Sequence, residues 1–269
     1  MLMNDDLGTR MKSYYENIPK TKLMRRTPVA IRIDGKAFHT FTKGFDKPFD
    51  KVLMTTMQET TQYLCENIQG CVFGYTQSDE ITLILIDYKR LNSSAWFDYE
   101  VQKMCSVTAS MATIAFNKIF DIKVDSFIYN SNNVGMTKDE ATHAVNLIHA
   151  YKLSRTKGAM FDARCFNIPK EEVTNLIYWR QLDATRNSIQ MVGQANFTHK
   201  ELQNKNCNDI QNMLLTEKDI NWNNYPTNCK RGTAVIKADE YWIIDVLMPI
   251  LKGENRKYVD RFVFVGEGE

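Results

Sequence analysis

Hydrophobic and polar residues alternate through residues 28–34, PVAIRID, and this alternation predicts a β-strand. Its larger apolar side chains would share one face: Val29, Ile31 and Ile33. Arg32 and Asp34 would lie on the other face, because successive side chains of a strand point to opposite sides. Asp34-Gly35 is a turn signal that ends the strand. The pattern therefore places a carboxylate at the end of a strand, away from its apolar face.

Apolar residues next recur at helical spacing within residues 47–70, with Asp50 as the predicted N-cap and Gly70 beyond the C-terminal end. Residues 170–194 are also predicted to be helical, as two helices broken near Trp179. The other predicted elements are strands at about 71–76 and 80–86, a helix within 99–120 and a strand within 159–168.

The predicted order of strand, helix, strand, strand, helix and strand is typical of a split β-α-β unit of the ferredoxin-like kind. This is an α+β fold, in which an antiparallel sheet carries helices on one face and leaves the other face open for chemistry or binding. Asp79 lies in the hairpin between the second and third strands. We therefore expect Asp34 and Asp79 to meet at the same edge of the open face.

The chain of 269 residues is long enough for one large domain or two modest ones. We predict a catalytic domain at residues 1–196 and a C-terminal α+β extension, residues 197–269, packed on it. Residues 119–157 are interpreted as an inserted or mobile segment that becomes helix-like from about Lys138. Basic residues near its end suggest an RNA-facing or interface element: Lys152, Arg155 and Lys157.

The net charge of +2 is too small to indicate a nucleic-acid-binding protein by itself. Six cysteines without a CxxC pair and four histidines without metal-ligand spacing argue against zinc and disulfide scaffolds and favour reduced thiols. The N-terminus lacks the apolar core of a secretion signal, and the segment YWIIDVLMPIL is too short to span a bilayer. We therefore expect a soluble cytoplasmic protein with no membrane partner.

Asp79 and Glu80 directly precede an apolar run in the stretch GYTQSDEITLILID. Two carboxylates brought together from separate strands repel, and each raises the pKa of the other unless a cation lies between them. Mg²⁺ prefers such oxygen ligands, and two ions about 3.5 to 4 Å apart would align a hydroxyl and a leaving phosphate for in-line displacement. The pattern favours phosphoryl or nucleotidyl transfer. Glycoside hydrolysis also uses two carboxylates, but it leaves the nearby lysines unexplained: Lys36, Lys47 and Lys103.

Each of these features also has an ordinary structural interpretation. Asp-Gly after a strand is commonly only a turn, and residues 78–80 could form a solvated hairpin tip. Lys47, before a proline, could belong to a loop that precedes a helix, and His39 could be a partly buried histidine. The residues by themselves leave the structural and the catalytic interpretations open.

Six motifs occur in order between about Lys20 and Thr233: RIDGKAFHTFTKGFDKPFD, GYTQSDE, KMCSVTAS, FDAR, WRQLDA and KRGT. Together they resemble the tRNA-histidine guanylyltransferase superfamily, with an interruption mainly at residues 119–157. The resemblance implies a palm-like catalytic core related to polymerases and nucleotide cyclases. It also implies a nucleotidyltransferase that adds nucleotides in the 3′-to-5′ direction, the reverse of ordinary polymerases.

In that family two Mg²⁺ ions per active site are held by an aspartate, the carbonyl of the next glycine and the aspartate of SDE. These ligands correspond here to Asp34, Gly35 and Asp79. Glu80 corresponds to an adjacent acid that would support the metals, and Lys47 to a lysine that meets phosphate charge. The resemblance thus implies catalytic roles for both aspartates, Glu80 and Lys47. The implied nucleotide-binding residues, with Lys103 added for the triphosphate, are Asp34, Gly35, Lys36, Ala37, Phe38, His39, Ser78, Asp79 and Lys103.

Two departures from the family pattern refine this expectation. Residues 185–190, TRNSIQ, replace the histidine, isoleucine, two asparagines, leucine and tyrosine of the guanylyltransferase branch. They look like the guanylyltransferase-like branch, whose members repair 5′-truncated tRNAs by templated addition. Residues 98–100, DYE, replace a basic cluster, so one triphosphate contact is either missing or supplied elsewhere. The candidates for that contact are Arg25, Arg26 and Lys103.

The resemblance therefore implies tRNA 5′-end repair, with tRNA, ATP and GTP or other nucleoside triphosphates as partners, in a homotetramer built as a dimer of dimers. Three alternatives stay open: a tRNA-histidine guanylyltransferase proper that adds one guanosine, a nucleotide cyclase that uses no RNA, and an RNA-binding module that stacks bases on sheet aromatics. Asp34 and Asp79 argue against the last, because a pure binding module has no need of them.

Overall fold

A six-stranded antiparallel sheet with the strand order β4-β1-β3-β2-β5-β6 forms the centre of the protein. The computed structural model describes residues 5–133, 135 and 137–266. The strands are β1 Val29–Gly35, β2 Cys71–Gln77, β3 Glu80–Leu85, β4 Phe161–Asn167, β5 Thr233–Ala238 and β6 Tyr241–Asp245. The helices are α1 Asp6–Met11, α2 Phe38–Phe41, α3 Lys51–Asn67, α4 Val101–Asn133, α5 Lys138–Lys157, α6 Lys170–Asn196, α7 His199–Leu202, α8 Cys207–Lys218, α9 Thr227–Arg231 and α10 Lys257–Val263.

The predicted α+β order is confirmed, since β1, α3, β2, β3, α4 and β4 follow one another along the chain. Local signals explain the ends of α3: the Asp50 carboxylate accepts the Leu53 N–H, and Gly70 has a φ of +81°. As the alternation predicts, Ile31 and Ile33 of β1 are buried in a core with Leu64 of α3 and residues of α4. One face of the sheet is therefore covered as expected.

The prediction that the opposite face is open was wrong over most of its area. Helices α6 and α10 pack on it through a second core, which includes Ala30, Ile84, Val173, Ile177 and Val259. The reason is that the alternate positions of β1 and β3 are polar only toward the Asp34 end and apolar toward the other. Their apolar half needs cover, and the two helices supply it.

Helix α6 is continuous from Lys170 to Asn196, so the predicted break near Trp179 was also wrong. Its buried residues recur at helical spacing through the whole length, from Val173 and Ile177 to Ile189 and Val192. A single helix therefore runs from the covered half of the sheet to the strand ends that carry the carboxylates.

The segment 119–157 forms helices within the described residues, because α4 continues to Asn133 and α5 returns from Lys138. The interpretation as a mobile segment is thereby corrected. Arg155 pairs with Asp121 at 2.8 Å and with Asp125 at 2.7 Å, so its charge is compensated within this helix pair. Tyr151 of α5 is buried in the first core.

The C-terminal extension continues the same sheet, since β5 pairs with β2 and β6 pairs with β5. The boundary between residues 196 and 197 stays a prediction. All six cysteines are free, as predicted. Among the described residues, none of the helices combines the length and the apolar character needed to cross a bilayer.

Candidate active site

The strand register brings the carboxylates of Asp34, Asp79 and Glu80 to one edge of the sheet. Asp34 lies directly opposite Glu80 in the pairing of β1 with β3. Gly35 N–H donates a hydrogen bond of 3.1 Å to the carbonyl oxygen of Asp79. Ser78 and Asp79 form the two-residue turn between β2 and β3, with Ser78 at a φ of +52°. The two aspartates therefore meet as the strand order predicts.

Both aspartates have a pKa above its ordinary value. Burial is the main cause of the raised pKa of Asp34, and the charges of Glu80 and Asp162 add to it. Burial also raises the pKa of Asp79, together with the charge of Asp34, although the Ser78 hydroxyl donates to its carboxylate at 3.0 Å and opposes the shift. Burial, with the neighbouring negative charges second to it, thus raises the free energy of the ionised state at this edge.

The two aspartates have little cationic compensation. Within the described residues Asp79 has no ion pair, and the ion pair of Asp34 is with Arg164, at 3.9 Å. Glu80 differs, because its carboxylate accepts from Arg180 at 2.5 Å and from Arg32 at 3.2 Å. The structure therefore leaves the aspartates available to a cation and holds Glu80 with two guanidinium groups.

The turn after β1 has the close packing that its sequence requires. A Cβ on Gly35 would lie 2.3 Å from the Phe38 ring, so only glycine fits at this position. The Phe38 ring is buried against Phe41, Phe116 and Phe161. Phe38 therefore supports the turn from the core side, and its ring is not exposed to stack on a base.

A cavity of about 730 Å³ lies beyond the strand ends, within the size range of small-ligand sites. Its lining includes seven of the predicted site residues: Gly35, Ala37, Phe38, His39, Lys47, Ser78 and Asp79. Sequence reasoning missed other lining residues: Thr42, Lys43, Asp50, Leu53, Met191 and Gln194. Met191 and Gln194 belong to α6, and no local signal connects that helix with residues about 150 positions earlier.

The loop that carries Lys47 is anchored by a buried carboxylate. Asp50 accepts the Asp46 N–H at 3.0 Å and the Tyr151 hydroxyl at 2.7 Å. Burial raises the pKa of Asp50, and these hydrogen bonds oppose the shift. Because Tyr151 belongs to α5, the inserted segment supports the loop and helps to place Lys47 at the cavity.

Three predicted nucleotide-binding residues are not among those that line this cavity: Asp34, Lys36 and Lys103. Lys36 is exposed, and its N–H donates to the Met160 carbonyl. Lys103 lies near the start of α4, with its ammonium 4.7 Å from the centre of the Phe97 ring. Thr113 of α4, ten residues after Lys103, accepts a hydrogen bond from the Phe161 N–H, and Phe161 lies opposite Gly35 in the sheet. The helical rise therefore places Lys103 about 15 Å from this point along α4. Lys103 therefore does not line this cavity, and its role in nucleotide binding stays a prediction.

The substitution of acids for the family's basic cluster has a local explanation. Asp98 pairs with Lys22 and with Arg25, and Arg25 also pairs with Asp87. The Arg26 N–H donates to Asp87 as well. These residues lie near the start of β1, at the end of the sheet opposite the cavity. Arg25 and Arg26 therefore do not supply a triphosphate contact in this cavity.

The donor set suits a divalent cation with oxygen ligands. Two carboxylates with raised pKa values and little cationic compensation lie beside the Gly35 backbone, and hard cations such as Mg²⁺ prefer such oxygens. Through residues 5–133, 135 and 137–266, no cluster of three or more histidine, cysteine or acidic side chains could hold a metal. A metal here would therefore need backbone, water or substrate oxygens as further ligands.

Comparisons with known proteins agree with this geometry. The family described as Thg1, tRNAHis guanylyltransferase, matches residues 8–169. A solved bacterial tRNA(His) guanylyltransferase (Thg1)-like protein in complex with ATP is 41% identical, with a TM-score of 0.80 over 97% of this chain and 100% of that one. Another such bacterial structure, in complex with GTP, is 37% identical, with a TM-score of 0.74 and the same coverage. The tRNA(His) guanylyltransferase of Saccharomyces cerevisiae is 25% identical over 82% of this chain and 87% of its own length.

Proposed function

Because the chain belongs to the tRNAHis guanylyltransferase (Thg1) family of nucleotidyltransferases acting on tRNA, we propose that it is a template-dependent 3′-to-5′ nucleotidyltransferase that repairs tRNA 5′ ends. The observation that carries this proposal is a pair of aspartates with little cationic compensation at one edge of the sheet, of which Asp79 lines a cavity of nucleotide size together with Lys47. Two similar bacterial proteins are known in complex with ATP and with GTP, which supports the same ligand class here.

Asp34, the Gly35 carbonyl and Asp79 are the proposed ligands of two magnesium ions. When bound, magnesium lowers the pKa of an attacking hydroxyl and stabilises negative charge on a leaving phosphate. Lys47 would meet the phosphates of the nucleotide in the cavity, a role that suits a compact ammonium group. Glu80, held by its two arginines, would keep the end of β3 and hence Asp79 in position.

The proposed reaction has two displacements at phosphorus. An oxygen of the RNA 5′ monophosphate attacks the α-phosphorus of ATP, and pyrophosphate leaves. The 3′ hydroxyl of an incoming nucleoside triphosphate then attacks the activated 5′ phosphorus and loses its proton, and AMP leaves. Base pairing with the opposite RNA strand would select the incoming nucleotide.

The sequence of α6 favours repair over addition of a single guanosine. Residues 185–190 depart from the guanylyltransferase branch, and they lie between Arg180, which holds Glu80, and Met191, which lines the cavity. The two bacterial structures described above are of guanylyltransferase-like proteins and match this chain at higher identity than the yeast enzyme does. Assembly as a dimer of dimers stays a prediction.

Incubation with Mg²⁺, ATP and nucleoside triphosphates tests the proposal with two 5′-monophosphorylated RNAs. One is a tRNA that lacks its first 5′ nucleotide, and the other is an intact histidine tRNA. We expect extension of the truncated tRNA by the nucleotide that pairs with the template. Preferred guanosine addition to the intact tRNA would indicate the guanylyltransferase activity instead, and a cyclic nucleotide formed without RNA would indicate a cyclase.

Replacement of Lys47 by glutamine is expected to raise the KM for the triphosphate by about 10-fold, because a charge-assisted contact with phosphate is lost. The KM for RNA should change little. Lys51→Gln is the matched control, since Lys51 is exposed four residues later and does not line the cavity. Steady-state kinetics with the truncated tRNA measure both constants, and equal effects of the two substitutions would contradict a specific role for Lys47.

A further inference from the structure

We propose that Trp179 and Arg164 form a platform that binds the 5′-terminal nucleotide of the RNA, beside the catalytic aspartates and outside the nucleotide cavity. The inference rests on the proposed function and adds to it the location of the second substrate. It is drawn from an exposed aromatic side chain, an exposed cation beside Asp34 and the position of both relative to the cavity.

The first component is an exposed tryptophan on the polar end of the sheet. Trp179 of α6 is 52% exposed, whereas Trp96 and Trp222 are buried. The centre of its ring lies 5.3 Å from the Arg32 guanidinium carbon and 4.5 Å from that of Arg180. Arg32 is two residues before Asp34 on β1, so both lie on the same face of the sheet. The indole therefore lies on the face that carries Asp34.

The second component is an arginine on the neighbouring strand. Arg164 of β4 lies opposite Arg32, and Asp162 lies opposite Asp34. The Arg164 guanidinium is 3.9 Å from Asp34 and 3.2 Å from Asp162, and its side chain is 55% exposed. A partly solvated guanidinium beside the catalytic carboxylate can contact a phosphate that reacts there.

Helix α6 extends the platform along its exposed face. Trp179, Leu182 and Arg186 are spaced by three and four residues, so they share one side of the helix. Leu182 is 50% exposed and the Arg186 side chain is 61% exposed. An exposed aromatic ring on the same sheet face as the partly exposed Arg164 guanidinium suits a nucleotide, because its base can stack on the ring and its phosphate can bind that cation.

The platform and the cavity meet at the aspartate pair but share no residue. Asp79 lines the cavity, which does not include Asp34, Arg164 or Trp179. Asp34 instead contacts Arg164 on the sheet face. In each displacement the attacking oxygen and the leaving group lie on opposite sides of the phosphorus. A triphosphate in the cavity and an RNA 5′ end on the platform would bring the two substrates together at the aspartates, where this displacement takes place.

Replacement of Trp179 by alanine tests the platform. Loss of one base stack corresponds to about 1 to 3 kcal/mol, or about a 5- to 150-fold rise in the KM for the truncated tRNA. The KM for the triphosphate should stay unchanged, and Trp179→Phe should recover most of the affinity for RNA. Tyr241→Ala is the matched control, since Tyr241 is 77% exposed on β6, at the far edge of the sheet. Thermal unfolding of each variant shows whether it is folded.

A direct measurement of RNA binding tests the role of Arg164 by itself, because it does not depend on turnover. Arg164→Gln should weaken binding of 5′-monophosphorylated RNA more than binding of the same RNA with a 5′ hydroxyl. The platform is overturned if folded Trp179 variants bind and extend RNA as the parent does, or if the KM for RNA and the KM for the triphosphate rise equally. A parent that binds RNA through Trp179 but extends no RNA would overturn the proposed function and retain the platform.

Discussion

Replacement of Asp79 by asparagine is expected to lower templated nucleotide addition by about 10²- to 10³-fold, the scale at which enzymes lose activity when one group that stabilises developing charge is removed. The substitution removes the carboxylate that lines the cavity, one of two with little cationic compensation, and keeps the shape of the side chain. Asp139→Asn is a suitable control, because Asp139 is an exposed carboxylate in the first turn of α5.

The same substitution, Asp79→Asn, is not expected to lower the stability of the protein, in contrast to its effect on activity. Burial raises the pKa of Asp79 in the folded protein, so its ionised form destabilises the fold once the pH exceeds the pKa of the unfolded chain. Without divalent ions at neutral pH, Asp79→Asn should therefore unfold at the same temperature as the parent or at a higher one. Mg²⁺ should raise the Tm of the parent more than that of the variant. Full activity in a folded Asp79→Asn protein would contradict the assignment.

Replacement of Arg180 by methionine is expected to cost about 3 kcal/mol of unfolding free energy, because it leaves two carboxylates without their buried cation. The Arg180 side chain is only 5% exposed and binds Glu80 at 2.5 Å and Asp183 at 2.8 Å. Glu80 lies opposite Asp34 and would keep only Arg32 as a partner, so its less compensated charge should also raise the pKa of Asp34 further. Urea unfolding measures the loss of stability.

Two further variants show whether the effect comes from the carboxylates. Glu80→Gln in the Arg180→Met background should restore part of the lost stability, because it removes one of the two charges that have lost their buried cation. Arg186→Met is the exposed counterpart, since Arg186 pairs with the same Asp183 while its side chain is 61% exposed. Its cost should be below about 1 kcal/mol. Equal costs for Arg180→Met and Arg186→Met would show that burial of the pair is unimportant.

Much of the arrangement of Asp34 and Asp79 at the edge of the sheet follows from local sequence. The alternation in β1 predicted which side chains enter the core, and the two-residue turn between β2 and β3 places Asp79 beside Gly35. Asp50 caps α3 as predicted. These features depend on residues close together in the chain or on neighbouring strands, so periodicity and turn chemistry are enough to locate them.

Side chains were assigned less well where local pattern does not specify their surroundings. Phe38 falls within the predicted nucleotide-binding turn, yet its ring packs in the aromatic core. Lys103 belongs to a motif of the family, yet the length of α4 separates it from the cavity. A sequence motif shows which residues this chain shares with the family. The direction in which a side chain points, and its distance from the cavity, depend on packing.

The sequence alone determined the strand and helix order of the core, the meeting of Asp34 with Asp79, and the family-specific motifs around them. Only the tertiary structure decided that α6 crosses the sheet as one helix, covers its apolar half, and brings Trp179 beside Arg32 and Met191 to the cavity. The physical reason is that an amphipathic pattern shows that one face of a helix or strand will be buried, but it does not show which surface will cover that face. That choice is made by the packing of surfaces far apart in the chain.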